Sequence, residues 1–266
     1  MEREKYIALA QKLAAVSGNI IRQYYRMPHL PTQTKPEDVS AIVTIADQEA
    51  EAAMVKILRQ EAPEDGIIRE EGENVPSQSG YDWVLDPIDG TAAFVRGVPT
   101  FGTLIGLVER DRNRVLLGLV NQPITQEQWL GLAGELTRFN GQVIENLYAQ
   151  ENHWTLEDTC LCSTTPMMFT TQAQQDRADI LQKNCRRQAF GGDCYNYVML
   201  ASGWSAAPIV ILEADMKYYD FCALIPIIQG VGSVITDWQG KPLTGGSSEI
   251  LAASNQALWQ QALNCD

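Results

Sequence analysis

Apolar side chains recur at steps of three and four from the start of the chain. Tyr6, Leu9, Leu13, Val16, Ile20 and Tyr24 fall on one stripe of a helix predicted over Met1–Arg26. The next stretch, Met27–Ser40, carries Pro28, Pro31 and Pro36 and reads as an extended loop. A short apolar run, Ala41–Thr44, leads into a second helical pattern over Ala46–Gln60 through Ala50, Met54, Ile57 and Leu58. Ile67–Ile68 reads as a buried strand ending in Glu70-Glu71, Gly72–Gly80 as a polar turn region, and Trp83–Leu85 as a buried strand ending at Asp86. Gly102–Val108 and Arg114–Asn121 read as neighbouring strands around the charged turn Glu109–Asn113. Trp129–Gly134 and Arg138–Val143 extend that antiparallel sheet, with Asn140-Gly141 as a hairpin turn.

Beyond Leu156 the rhythm changes. Short strands at Cys160–Ser163 and Ile209–Leu212 alternate with helices predicted over Gln172–Asn184, Cys194–Ser202 and Phe221–Gly230. No internal repeat or low-complexity run interrupts them. The chain reads as a single domain over 1–266, with halves of roughly 1–146 and 157–266 joined near Leu147–Leu156.

At 266 residues the chain is long enough for a large core, and 45% apolar with 20% charged residues excludes a disordered polymer. Thirty-three acids against 20 bases leave a net charge of −13. That balance opposes coating a nucleic-acid backbone, which asks for a basic face. An anionic small molecule would need something other than net charge to attract it, and a metal ion is the obvious candidate. The first 26 residues are charged from the second position and their apolar residues are spaced, so neither a secretory signal nor a membrane span is expected. A cytoplasmic protein is the simplest expectation. Six cysteines at irregular spacings read as reduced, mostly buried thiols, and Cys160-x-Cys162 lacks the second pair that a zinc site needs. The two histidines, His29 and His153, read as surface or loop residues, so acid–base work falls to carboxylates or metal-bound water.

The densest chemistry lies in Asp86-Pro87-Ile88-Asp89-Gly90-Thr91, directly after a buried strand. Two acids three apart on a tight turn can point at one cavity, Gly90 permits an unusual backbone angle, and Thr91 opens a helix or turn whose amides suit a phosphate. Alone, the pair reads as readily as a capping turn with surface acids. Glu70 and Glu71 after another strand, Asp220 before an apolar helix, and Asp47 behind Thr44 change that reading. Like charges brought within ~4 Å cost on the order of 4 kcal/mol per pair at a dielectric near 20, so such a cluster asks for cations. Oxygen ligands select magnesium, manganese or calcium over zinc.

Glu70-Glu71, the Asp86–Thr91 run and Tyr219-Asp220-Phe221-Cys222-Ala223 resemble the three signatures of the inositol monophosphatase family, and Val43-Thr44-Ile45-Ala46-Asp47 resembles its upstream motif. The third signature usually has tryptophan where this chain has Tyr219. The resemblance implies a layered αβαβα sugar-phosphatase sandwich of α/β (α+β) class with mixed and antiparallel sheets. It also implies magnesium-dependent hydrolysis of a phosphate monoester with two or three Mg2+ ions. Carried over, Glu70, Asp86, the Ile88 carbonyl, Asp89 and Asp220 are metal ligands. Glu71 has an alternative role as an acceptor behind them. Asp47 and Thr91 orient the attacking water, and the Gly90 and Thr91 amides hold phosphate. A homodimer and inhibition by lithium are implied as well.

Thr91–Thr100, Phe190-Gly191-Gly192-Asp193-Cys194-Tyr195 and Lys217–Leu224 lean toward the histidinol-phosphate phosphatase branch, an activity of histidine biosynthesis. The alternative is an inositol-1-monophosphatase or a broad sugar-phosphate phosphatase. Asp193 and Glu213 suit an ammonium or imidazolium group, and Tyr195 suits the ring. Glu213 also fits a hydroxyl-binding role, and Asp193 also reads as the N-cap of Cys194–Ser202, which is compatible with substrate contact. Arg96 and Lys217 are candidate substrate-facing cations or solvated charges. Arg186-Arg187 reads as a helix end in water or as reaching a neighbouring subunit.

Overall fold

The structure, a computed structural model, describes residues 2–35 and 38–265. Helix α1 (Glu2–Tyr24) is followed by the antiparallel strands β1 (Thr32–Lys35) and β2 (Asp38–Thr44), then by α2 (Ile45–Glu61). The stretch expected to be a loop is therefore in part a hairpin. Pro28 and Pro31 precede the first paired residue, so they remove no donor from the ladder, and the β-branched residues that follow accept an extended backbone. Pro36 lies outside the described residues.

A seven-stranded sheet comes next, built from β3 (Gly66–Arg69), β4 (Tyr81–Asp89), β5 (Gly102–Glu109), β6 (Arg114–Gln122), β7 (Glu127–Leu132), β8 (Arg138–Phe139) and β9 (Gln142–Val143), in that order. The short helix α3 (Thr91–Val95) lies between β4 and β5. Only β3 and β4 run parallel; every other pair is antiparallel. The expected Asn140-Gly141 turn joins β8 to β9 with both residues at positive φ, 45° and 83°. Several boundaries moved. β7 starts two residues earlier than expected, and β4 runs three residues beyond Asp86 to Asp89.

The second half supplies β10 (Cys160–Ser163), α4 (Gln172–Asn184), β11 (Arg187–Phe190), α5 (Asp193–Ser202), β12 (Ile209–Glu213), α6 (Tyr218–Phe221), α7 (Leu224–Gln229), β13 (Val234–Thr236), β14 (Ile250–Ala253) and α8 (Gln256–Leu263). Its mixed sheet has the order β11-β10-β12-β14-β13. The helix expected over Phe221–Gly230 is two pieces. A cap at Lys217, whose amide donates to Asp220, starts α6 earlier, so Asp220 lies inside a helix rather than ahead of one. Pro226 falls in the first turn of α7, where a missing N–H costs little.

These elements stack in five layers, αβαβα. Leu9, Leu13, Met54 and Leu58 of α1 and α2 cover one face of the large sheet at Trp83, Leu85, Ile105 and Leu119. Its other face shares a core with α5, α7 and the small sheet, in which Leu104, Val120 and Trp129 meet Tyr197, Leu224, Ile227 and Ile211. Ala178, Leu181, Leu258 and Ala262 of α4 and α8 close the far side.

Candidate active site

The two acids of the motif are aligned by an irregularity in β4. Asp86 pairs with Leu104 of β5 and Asp89 with Gly102, so three steps on β4 oppose two on β5. In an unbroken strand, residues three apart face opposite sides; one extra residue turns the second acid back toward the first. Pro87, which has no N–H to lose, sits in that bulge, and its carbonyl accepts from the Thr103 hydroxyl at 2.9 Å.

Asp220 reaches the same place from α6. One oxygen each of Asp86, Asp89 and Asp220 lie within 4.8 Å of one another. What lets α6 and α7 come this close is a row of glycines in register across the large sheet, with Gly106 opposite Gly118 and Gly118 opposite Gly131. A Cβ on Gly118 would lie 1.8 Å from the Ala223 carbonyl oxygen, and one on Gly131 2.4 Å from the Ile227 nitrogen. That row is invisible to motif reading, although glycines repeating inside strands are a signal of close backbone approach.

The electrostatics are those of a crowded anionic nest. Asp86 is 2% exposed, and its Oδ1 is buried with no hydrogen-bond partner among the described residues. Burial, then the charges of Glu70, Asp89 and Asp220, hold its carboxyl well above the usual range. Asp89 is raised by burial and by Asp193 and Asp220, although its Oδ2 accepts the Cys194 amide. Asp220 is pushed up to about 7, chiefly by burial. Each like-charged pair at this spacing costs roughly 3–4 kcal/mol at an effective dielectric near 20. Oxygen-only donors in this number suit a hard divalent cation such as magnesium, so the residues present fit the group.

Glu70 follows β3 directly and shares a hydrogen bond with Asp86. The Glu71 amide donates to Glu51 at 2.9 Å, and Arg69 pairs with the same buried carboxylate at 3.0 Å. Glu51, which sequence reading missed, thus anchors the acidic end of β3 to α2. Its signal was a second acid on the face that Ala50, Met54 and Leu58 make apolar, one turn after Asp47. Asp47 is buried in a capping box with Thr44, and its other oxygen lies 3.3 Å from the Thr91 hydroxyl, which also reaches the Ile88 carbonyl at 3.0 Å. Desolvation lifts Asp47 to about 7 against its Thr44 bonds. Gly90, at φ 88°, turns the chain into α3, and a Cβ there would sit 2.9 Å from Asp193 and 3.2 Å from Phe101.

Beside the acids opens a cleft of about 570 Å³, bounded by Asp89, Asp193 and Asp220, by Thr164, Thr165 and Thr170, and by Met167, Met168 and Met216. Asp193 is not the N-cap of α5. Gly192 holds that position, and Asp193 follows it at φ 43°, with its carboxyl bonded to Thr164. Glu213 is fully buried, accepting from the Thr164 amide and hydroxyl and from the Tyr197 hydroxyl at 2.7 Å. It lies behind the cleft wall, is lifted by desolvation to about 7, and Tyr197 is the partner that sequence reading missed. Tyr195 is not brought into the cleft: its hydroxyl donates to Glu127 and its ring meets Trp129 edge-on. Exposed Arg96 lies near Asp193, and Lys217 pairs with Asp215 at 3.3 Å. Arg186 faces Asp158, while Arg187 opens the edge strand β11 rather than ending a helix. His29 and His153 are exposed, and all six cysteines are free.

Comparison with known proteins gives a consistent picture. The model of the inositol monophosphatase family matches residues 2–265. A bifunctional phosphatase of Arabidopsis thaliana, IMPL2, chloroplastic, is 38% identical, the match covering 98% of this chain and 75% of that protein. A histidinol-phosphatase of Chlorobaculum parvum is 28% identical over 94% of this chain and 92% of its own. Among solved structures, an inositol monophosphatase from Zymomonas mobilis superposes with a TM-score of 0.85 at 40% identity, covering 100% of this chain and 98% of that one.

Proposed function

This chain belongs to the inositol monophosphatase family of metal-dependent phosphatases, and from that premise we propose that it hydrolyses histidinol phosphate. The observation that carries the choice is the cleft wall. Three methionines face it beside Asp193, next to the acids. Thioethers pack well against a flat ring, with S–aromatic contacts of roughly 0.3–1.5 kcal/mol each, and make poor partners for a ring bearing hydroxyls. Asp193 suits the substrate's ammonium group. In this reading Glu213 acts by fixing Thr164, not by touching the substrate.

Asp86, Asp89, Asp220, Glu70 and the Ile88 carbonyl would hold magnesium. Bound there, it supplies an acidified water and neutralises charge on the phosphoryl group. The protein's own part is positioning and proton handling. Thr91 Oγ1 orients the attacking water, and Asp47, 3.3 Å behind it, takes up the proton. A carboxyl lifted to about 7 is well matched to that task. The Gly90 and Thr91 amides cradle the phosphate. Water oxygen bonds to phosphorus as the P–O ester bond breaks, and the leaving oxygen takes a proton from solvent water, giving an alcohol and inorganic phosphate.

The two halves form one catalytic domain in this proposal, because Asp220 and Asp193 come from the second half and Asp86 and Asp89 from the first. A homodimer, a cytoplasmic setting and a place in histidine biosynthesis belong to the same proposal; the name of the Arabidopsis relative places that protein in the chloroplast. The Zymomonas similarity favours a second reading, inositol-1-phosphate or a broad range of sugar phosphates. A phosphate-release panel at fixed magnesium, with a chelator control, decides. Higher kcat/KM on histidinol phosphate is expected; preference for inositol 1-phosphate would overturn the choice.

A further inference from the structure

Away from the acids, one strand carries two nucleophiles on one face. Cys160 and Cys162 are alternate residues of β10, so both side chains leave the same side of the small sheet, and their sulfurs lie 4.0 Å apart. Cys162 is buried, whereas Cys160 is half-buried and stands opposite Arg187 of the exposed edge strand. The two thiols are not equivalent. The Cys162 S–H donates to the Cys160 sulfur. That bond, helped by the Arg187 guanidinium, draws the Cys160 thiol down to about 7, while the same shared proton and burial push Cys162 up. Cys160 is thus the more acidic and the more accessible of the two sulfurs, with the Cys162 thiol beside it.

We propose that Cys160 and Cys162 are a peroxide-reactive dithiol that closes to a reversible disulfide and loosens the substrate side of the cleft. The Cys160 thiolate attacks a peroxide oxygen; the S–O bond forms, the O–O bond breaks, and hydroxide leaves. The Cys162 sulfur then attacks that of Cys160; the S–S bond forms, the S–O bond breaks, and the departing hydroxyl takes the Cys162 proton as water. The dithiol loses two electrons; the hydroxide takes up the proton that Cys160 released on ionising, so hydrogen peroxide ends as two waters.

The reach to the cleft follows from strand geometry. Alternate Cα atoms of a strand are about 6.6 Å apart, beyond the usual disulfide spacing of about 5.5–6 Å, and the sulfurs must close from 4.0 Å to about 2.05 Å, so closure pulls on β10. The next two residues are Ser163, which bonds the Leu212 carbonyl at 2.7 Å, and Thr164, which holds Glu213 and lines the cleft beside Asp193. A strained disulfide is also readily reduced, which suits a reversible device.

The test treats the whole protein with hydrogen peroxide and follows both chemistry and activity. Trypsin releases residues 139–177 as one peptide whose only cysteines are these two. Its mass should fall by two hydrogens and recover with dithiothreitol. KM for the ester turned over best in the panel should rise about tenfold, as for loss of one hydrogen bond to a charged group. Cys160→Ser and Cys162→Ser should keep basal activity and resist the treatment. Absence of the disulfide in the wild-type peptide overturns the proposal, and that readout depends on neither a variant nor the substrate assignment. Inactivation of Cys160→Ser equal to that of the wild type also overturns it, by moving the sensitive thiol elsewhere.

Discussion

Strand β4 carries buried aspartates at both ends, and the chain treats them in opposite ways. At its start Asp82, 4% exposed, receives a two-pronged ion pair from Arg110, at 2.8 Å from Nε and 2.7 Å from Nη2. Nearby Asp65 is likewise satisfied, by the Trp83 indole at 3.0 Å and the Ser79 hydroxyl at 2.6 Å. At its far end Asp86 and Asp89 face Asp220, another acid. Between Asp82 and Asp86, residue type, strand and burial are shared; the provision of donors differs. A buried carboxylate that the chain itself neutralises is architecture. A set left facing one another is, in the reading proposed above, a socket for a cation from solution that would offset the repulsion.

The sharpest break between the two ends is catalytic. Asp89→Asn should lower kcat by more than about 100-fold, the upper range for losing a mere outer-shell partner of a metal site. In metal-free protein the same change should raise Tm, because it removes one of the mutually repelling charges. Unchanged turnover in a phosphate-release assay on purified variant and parent would refute the role given to the cluster. It would also leave a catalytically idle metal-binding protein as the better description.

The next effect is thermodynamic. Asp86, Asp89 and Asp220 have folded-state pKa values above those of an unfolded chain, the last at about 7. The folded state therefore binds more protons. Their contribution to stability is present below the ordinary carboxylate range near pH 4 and is lost as pH rises toward 7. A tenfold change in proton affinity is worth about 1.4 kcal/mol, so three such acids outweigh a typical surface pair. Chelator-treated protein should melt several degrees lower at pH 8 than at pH 5. Saturating magnesium should flatten that dependence, because a ligand bound to the folded state adds stability where the acids are ionised. A metal-free Tm that climbs between those pH values would contradict the crowding.

Much of this was legible in the sequence for reasons of period. The 3.6-residue stripe of α1 and the apolar runs of β5 and β6 are long and regular, and Asn140-Gly141 is the chemistry that a tight hairpin requires. The acids were legible as motifs. Their convergence was not, because it depends on a one-residue bulge at Pro87 and on glycines paired across three strands, both properties of register. The unpredicted edge strand β11 shows the same limit. Arg187, Gln188 and Phe190 are exposed, so no burial pattern announces a strand held by its backbone alone. Tyr195 was misplaced by sequence proximity to Asp193; two residues along a helix point to different faces.

The smallest expected effect tests the other end of β4. In Asp82→Asn one of the two Arg110 bonds is lost, because the new amide nitrogen donates and cannot accept, and the other loses its charge. Because Arg110 is half exposed, water recovers part of the loss, leaving about 1–2 kcal/mol. In a chain of this length that is roughly a 2–8 °C fall in Tm. The amide is nearly isosteric, so β4 keeps its register and the acids at its far end stay in place. Urea melts with magnesium present should shift to a lower midpoint with unchanged slope, while kcat stays within about twofold. Arg110→Met should cost at least as much, because it leaves the Asp82 charge buried without its cation. If instead Asp82→Asn costs activity on the scale of Asp89→Asn while melting normally, the strand transmits charge from one end to the other, and the division between architecture and socket fails.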